Sequence, residues 1–143
     1  MEYCDSKKLL RRENIRATRK KVAILDGIKN SPDPVNAREL CESVSANVRI
    51  DLATVYRALS LFKEKGVIRE INDSTGIQYY EIACTHNPVH PHFKCSECQK
   101  IECLRFLNCV ETDYLEGFAG GCEITEISIM LSGICNQCRG LIK

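Results

Sequence analysis

Two Cys-x-x-Cys knuckles, Cys95 with Cys98 and Cys135 with Cys138, constrain this 143-residue chain more than any other feature. Each knuckle supplies two thiolates from one tight turn, and four thiolates are the donor set of a closed, tetrahedral structural zinc site. Bringing them together loops out the 36 residues from Gln99 to Ile134, so a whole helix and strand must lie between them. Ten cysteines also admit a disulfide reading. The stretch from Met1 to Arg12 is charged and lacks the apolar core of a secretory signal, so a reducing, cytoplasmic setting and metal ligation are expected instead. No apolar run reaches the ~18–20 residues that cross a bilayer, so no membrane partner is expected. With 44% apolar and 27% charged residues, pervasive disorder is excluded as well.

Charge divides the chain. From Met1 to Tyr80 there are fifteen Lys and Arg against eleven Asp and Glu; from Glu81 onward there are five against eight. Eight basic residues crowd the first 21 positions, among them Arg16, Arg19 and Lys20. All three histidines and most cysteines lie beyond Glu81. A basic first part suits a polyanion and a Cys/His-rich second part suits a metal ion, although a basic run is also compatible with a merely solvated helix face.

The first part reads as short helices and a hairpin. Ser6 is placed as the cap of a first helix carrying Leu9 and Leu10, and Thr18 as the cap of a second with Val22, Leu25 and Ile28 at helical spacing. Pro32 and Pro34 end it. Asn36 followed by Glu39 forms a capping-box pattern for a third helix that turns Ala37, Leu40, Cys41 and Val44 inward. A fourth helix opens at Asp51, with Leu52, Val55, Leu59 and Phe62 as one buried stripe, Thr54, Arg57, Ser60 and Lys63 outside, Tyr56 beside the stripe, and Gly66 as its end. Strands over Val67–Ile71 and Ile77–Ile82 flank the turn Asn72–Gly76. Helices followed by such a hairpin make a winged helix-turn-helix, and the fold class expected is α+β: a winged-helix DNA-binding domain over 1–82 and a small α/β domain over 83–143. The second domain is expected to hold two short strands within Cys95–Leu104, a helix over Asn108–Phe118 with Val110, Tyr114 and Phe118 in line, and a last strand through Ile127, Ile129 and Leu131. The hinge falls near Ile82–Thr85. Cys41 reads as a small core residue. Cys4, Cys109 and Cys122 have no partner spacing.

A second metal cluster is suggested by His86, His90 and His92, with Glu81 before them and Glu102 and Cys103 after. His90 and His92 alternate, so both imidazoles can reach one ion, and a carboxylate and a further nitrogen or sulfur donor would complete it.

At this point the chain resembles the ferric uptake regulator family. Ala53-Thr54-Val55-Tyr56-Arg57-Ala58-Leu59 is close to that family's recognition-helix signature. Lys65-Gly66-Val67-Ile68, Tyr79-Tyr80-Glu81, His90-x-His92-x-x-Cys95-x-x-Cys98 and Gly133-x-Cys135-x-x-Cys138 follow in the family's order, from about Ala17 to Cys138. The resemblance implies a homodimeric, metal-activated transcriptional repressor of metal-homeostasis genes that binds palindromic double-stranded operators. It implies structural Zn2+ on Cys95, Cys98, Cys135 and Cys138, and a regulatory site including Glu81, His90 and His92. Tyr56 and Arg57, with Thr54, are expected at base edges, and Arg19 and Lys20 at phosphates.

Departures from the family pattern bear on the regulatory metal. Pro34 stands where many members carry a histidine ligand, Cys103 replaces a carboxylate, and Val89 and Pro91 replace ligands of a further site. Cys84 precedes Asn87-Pro88-Val89-His90 much as a cysteine does in the zinc-sensing branch. Sulfur in place of oxygen moves the site towards borderline metals such as Zn2+, with iron versus zinc left open, Mn2+ and Ni2+ as further candidates, and Cys84, His86 or Cys103 as the completing ligand. The rival readings are a peroxide- or thiol-based redox regulator on the same fold and a zinc-dependent enzyme. The latter lacks a His-Glu-x-x-His motif or any other catalytic constellation.

Overall fold

The computed structural model describes residues 5–141, so Cys4 lies outside the described residues. Two compact units result, Met1–Asn87 and Pro88–Lys143.

In the first unit, α1 (Ser6–Arg12) is capped by Asp5, whose carboxylate accepts from the Lys8 N–H at 2.9 Å. Ser6 is therefore not the cap expected from the sequence. It lies inside the helix, buried, and donates its hydroxyl to Asp26 of α2 (Arg19–Lys29). Thr18 caps α2 as expected. A two-residue strand, β1 (Val35–Asn36), comes next, where the sequence pattern shows none; two residues carry no periodicity to read. Asn36 and Glu39 form the full capping box of α3 (Ala37–Ser45). Gly27 lets α2 approach α3, since a Cβ there would meet Leu40 Cδ1 at 2.7 Å. Cys41 is half-buried at the margin of the core rather than within it.

Helix α4 (Leu52–Glu64) buries Val55, Ala58, Leu59 and Phe62, while Leu52 is half-buried. Its end is a Schellman turn: the Val67 N–H reaches the Phe62 carbonyl at 2.8 Å and the Gly66 N–H reaches that of Lys63. Gly66 takes φ +70, a conformation favouring glycine. Phe62 is fully enclosed, and Phe62→Ala should cost about 3–5 kcal/mol through lost transfer energy and the cavity left behind. Strands β2 (Ile68–Asn72) and β3 (Gln78–Ile82) pair antiparallel, each starting one residue later than the apolar pattern suggested, because Val67 is spent on the turn and Ile77 is exposed. Asp73 shapes the connecting turn by accepting from the Thr75 N–H, the Thr75 hydroxyl and the Ile77 N–H. β1 joins the far edge of β3, giving the order β1-β3-β2.

The second unit holds β4 (His92–Cys95), β5 (Ile101–Cys103), α5 (Cys109–Gly117) and β6 (Met130–Gly133), with sheet order β5-β4-β6. β4 and β5 form an antiparallel pair, whereas β4 and β6 run parallel. Parallel neighbours need a long crossover, which is why α5 falls between the knuckles. The last strand is shorter than the Ile127–Leu131 alternation implied. Its ladder begins where the His92 N–H meets the Ile129 carbonyl, leaving Ile127 and Ile129 outside the strand. Asn108 and Glu111 form a second capping box on α5, and none of that helix is buried. No described helix is long and apolar enough to cross a membrane.

Candidate metal centres and nucleic-acid interface

The two knuckles fold alike. In each, the N–H after the second cysteine bonds back to the carbonyl of the first: Gln99 to Cys95 at 3.1 Å and Arg139 to Cys135 at 2.9 Å. Gln99 adopts φ 64, and Gly140 φ 71 near the end of the second turn. Parallel pairing of Cys95 with Gly133 brings the turns together, and the Cys135 N–H bonds to Cys95 Sγ at 3.3 Å. All four sulfurs lie within 4.8 Å of one another, with Cys98 Sγ and Cys135 Sγ 3.9 Å apart. A tetrahedron with Zn–S near ~2.3 Å has edges near ~3.8 Å, so the spacing fits zinc. It is nearly twice a disulfide bond.

The thiols respond to this crowding in opposite directions. The Cys135 N–H, followed by that of Cys98, pulls Cys95 down to about 6. Contact with the Cys135 thiol, then burial, pushes Cys138 up to about 12. Four thiolates at this distance need a cation to ionise together.

A second cluster lies in the same unit. One donor atom each from His90, His92 and Cys103 falls within 4.8 Å of the others. His92 and Cys103 are register partners across β4 and β5, while His90 sits two residues ahead of His92 with their rings 4.5 Å apart. Both histidines are buried. His90 Nδ1 lies 2.9 Å from the Pro88 carbonyl. Since a carbonyl only accepts, Nδ1 carries the proton and Nε2 has the lone pair a metal requires. The nitrogen, nitrogen and sulfur set suits zinc. Glu102 turns to Lys100, 3.1 Å away.

The other residues expected at this site belong to the first unit. Glu81 is buried in β3 and pairs with Arg69 of β2 at 3.0 Å. Cys84 is half-buried against the winged-helix core, bridged to Asn87, and His86 is exposed in the turn between them. The sequence reading overlooked Arg69. The hairpin register carries the signal, because a turn centred on Thr75 sets Arg69 opposite Glu81.

On the nucleic-acid side, α4 leaves Tyr56 and Arg57 exposed and Thr54 half-buried. Arg57 Nη2 donates to Thr54 Oγ1 at 3.4 Å. Asp51 caps the helix through the Thr54 N–H at 2.7 Å, and the Thr54 hydroxyl followed by that N–H holds its carboxyl below the usual range. Lys7, Lys8, Arg11 and Arg12 are exposed on α1, and Arg16, Arg19 and Lys20 are exposed beyond it.

A helix with exposed Tyr and Arg, a wing beside it and a basic first helix define a winged-helix DNA-binding regulator; the unit with the knuckles makes it a metal-binding one. The chain belongs to the ferric uptake regulator family, whose profile matches residues 12–130. The peroxide-responsive repressor PerR of Staphylococcus aureus (strain Mu50) is 28% identical over 131 residues, 91% of this chain and 86% of that protein. The Vibrio cholerae ferric uptake regulator superposes with a TM-score of 0.75 at 24% identity, covering 92% of this chain and 100% of that one. A zinc uptake regulator complexed with zinc and DNA superposes at 0.65 and 22% identity, covering 95% and 91%. The family consists of metal-responsive, DNA-binding transcriptional regulators, so this chain is a regulator and not a zinc enzyme.

Proposed function

We propose that this protein is a zinc-responsive repressor of metal-homeostasis genes, acting in the cytoplasm as a homodimer on palindromic operators. The observation that carries the reading is the donor set: His90, His92 and Cys103 converge with a thiolate where the family pattern has a carboxylate. Thiolate and imidazole suit zinc, whereas oxygen-rich sites suit iron and manganese. Cys95, Cys98, Cys135 and Cys138 hold the structural zinc, and Glu81 joins the histidines as a regulatory ligand, with Cys84 or His86 completing the shell. An ion that takes donors from both units favours one arrangement of them by its differential affinity for that state. In a two-fold dimer this sets the separation of two α4 helices, which must match half-sites about one turn (~34 Å) or a multiple apart. Arg57 reads guanine, Tyr56 packs on a thymine methyl, and Arg19 and Lys20 grip phosphates.

The experiment is to strip the regulatory ion, refill with Zn2+, Fe2+, Mn2+ or Ni2+ in turn, and titrate a duplex selected from a random pool. Zinc should give the largest gain in affinity, and His90→Ala should abolish it while the structural zinc stays. A gain with Fe2+ and none with Zn2+ defeats the zinc assignment. The second reading, a peroxide-sensing repressor, is favoured by the 28% identity to PerR. It predicts that the Fe2+-loaded protein releases DNA on addition of peroxide. Cys103→Asp separates the two, weakening zinc far more than ferrous ion if sulfur is a ligand.

A further inference from the structure

Arg69 is the second residue of β2, opposite Glu81 in the hairpin register. Its Nε and Nη2 both donate to Glu81 Oε1, at 3.1 and 3.0 Å. The same Nη2 also donates to the main-chain carbonyl of Asn87 at 2.7 Å. Asn87 is itself buried and closes the segment beyond β3: its Nδ2 donates to the Ile82 carbonyl at 2.7 Å and its N–H to the Cys84 carbonyl at 2.9 Å. One guanidinium thus holds a buried carboxylate and the last residue of the winged-helix unit. From Asn87 the chain passes directly to Pro88, whose carbonyl fixes the tautomer of His90.

We propose that Arg69 is a positioning residue for the regulatory ion, fixing the Glu81 carboxylate and the Asn87 carbonyl in one fork so that capture of Glu81 by the ion is coupled to the connecting segment. The inference rests on the reading of Glu81 as a ligand. Hydrogen-bonded partners of metal ligands orient them towards the ion, and Arg69 is such a partner of Glu81. Only arginine serves two acceptors in this way, because its donors form a rigid planar fork, whereas a lysine ammonium is a single point charge on a flexible stem. Across the hairpin, the pair also ties β2 to β3, so a purely structural role is the alternative to defeat.

The test measures the affinity of the second zinc ion in full-length protein by chelator competition, for the parent, Arg69→Gln, Glu81→Gln and the double variant. Zinc retained at the four cysteines and the melting temperature of the unloaded protein report on folding. Arg69→Gln should weaken the second ion roughly 10- to 100-fold, the usual effect of losing such a partner. In the Glu81→Gln background the same change should do nothing further, since Arg69 acts through that carboxylate. If Glu81→Gln leaves the second ion unaffected, the ligand reading itself fails. If Glu81→Gln weakens the ion but Arg69→Gln does not, or the two losses add, Arg69 is structural only and the proposal is overturned. Arg69→Lys gives the final readout: it keeps the charge but cannot fork, so the metal-dependent gain in DNA affinity should fall as in Arg69→Gln. A parent-like gain in Arg69→Lys overturns the fork.

Discussion

Phe118→Ala should break the homodimer proposed above without unfolding the chain. On α5, Val110, Tyr114 and Phe118 are 72%, 70% and 73% exposed, and Tyr114 and Phe118 pack edge to face at 5.1 Å with little else against them. A phenylalanine buries about 200 Å² when enclosed. At 73% exposure, about 150 Å² is therefore left for a partner to cover. At about 25 cal/mol per Å², covering it contributes about 3–4 kcal/mol per copy. Alanine retains about a third of that surface, and a two-fold interface contains the change twice. Ordering costs at the interface reduce the sum, so the expected loss is about 3–5 kcal/mol per dimer, or a dissociation constant raised roughly 150- to 5,000-fold. Sedimentation equilibrium across protein concentrations measures it, with zinc content and the melting profile showing that the unit remains folded. Phe118 is the C-cap of α5, 73% exposed and not one of the four cysteine ligands, so zinc should be retained. A parent that stays monomeric at high concentration, or a variant that dimerises as tightly as the parent, would refute the assignment of this face to a second copy.

Cys138→Ser should release about one zinc per chain and lower the melting temperature sharply, because a structural zinc contributes folding energy directly; full zinc content by elemental analysis would count against the four-thiolate centre. Arg57→Ala should relax preference at one base pair per half-site by about 1–3 kcal/mol, while Lys20→Ala should weaken all duplexes alike and flatten the salt dependence; equal losses on selected and random DNA for both variants would remove α4 from base recognition. Glu111 is held down to about 2, first by the Arg105 guanidinium and then by the Asn108 N–H. An unfolded glutamate titrates near ~4.3, so the folded state binds this proton less readily: the stabilisation is complete above that value and is lost as pH falls through about 2. In Arg105→Ala the Glu111 carboxyl should titrate closer to its ordinary range by NMR and α5 should fray at a higher pH; an unchanged titration would show that the ion pair does not set it.

Legibility from sequence follows the range of the forces involved. Helices α2, α3 and α4 could be read because their caps and apolar periods are local: Thr18, the Asn36–Glu39 box, Asp51 and the Gly66 stop all act within a turn. The pattern at the start of α1 is ambiguous by one residue because Asp5 and Ser6 are both good caps; the Asp26 partner that draws Ser6 into the fold is twenty residues away. β1 and the start of β6 depend on which strand lies alongside, and neither pattern nor propensity encodes that neighbour. The knuckles could be read because their spacing states their chemistry. Cys103 was harder, since its relevance comes from standing opposite His92 across β4 and β5. For α5, the period revealed the helix but not that its apolar side faces outward.

In the proposed reading, the two clusters separate stability from sensing by the number of donors each unit supplies. Four thiolates would complete a tetrahedral shell, and a zinc ion so enclosed would be part of that unit's fold, with no position left over to report anything. His90, His92 and Cys103 are three donors, buried or half-buried, from the same unit. Under the reading proposed here, the remaining ligand is Glu81 of the winged-helix unit, so a filled shell requires both units at once. Binding free energy then becomes a bias on how α4 is presented to DNA, and by linkage DNA must tighten the ion by the same factor that the ion tightens DNA. That reciprocity is testable without knowing the genes: the second zinc should bind about 5- to 150-fold more tightly when a selected duplex is present, and Glu81→Gln should remove the difference while leaving the four-cysteine zinc in place. A second ion that binds equally well with and without DNA would mean the three-donor cluster is not the sensor.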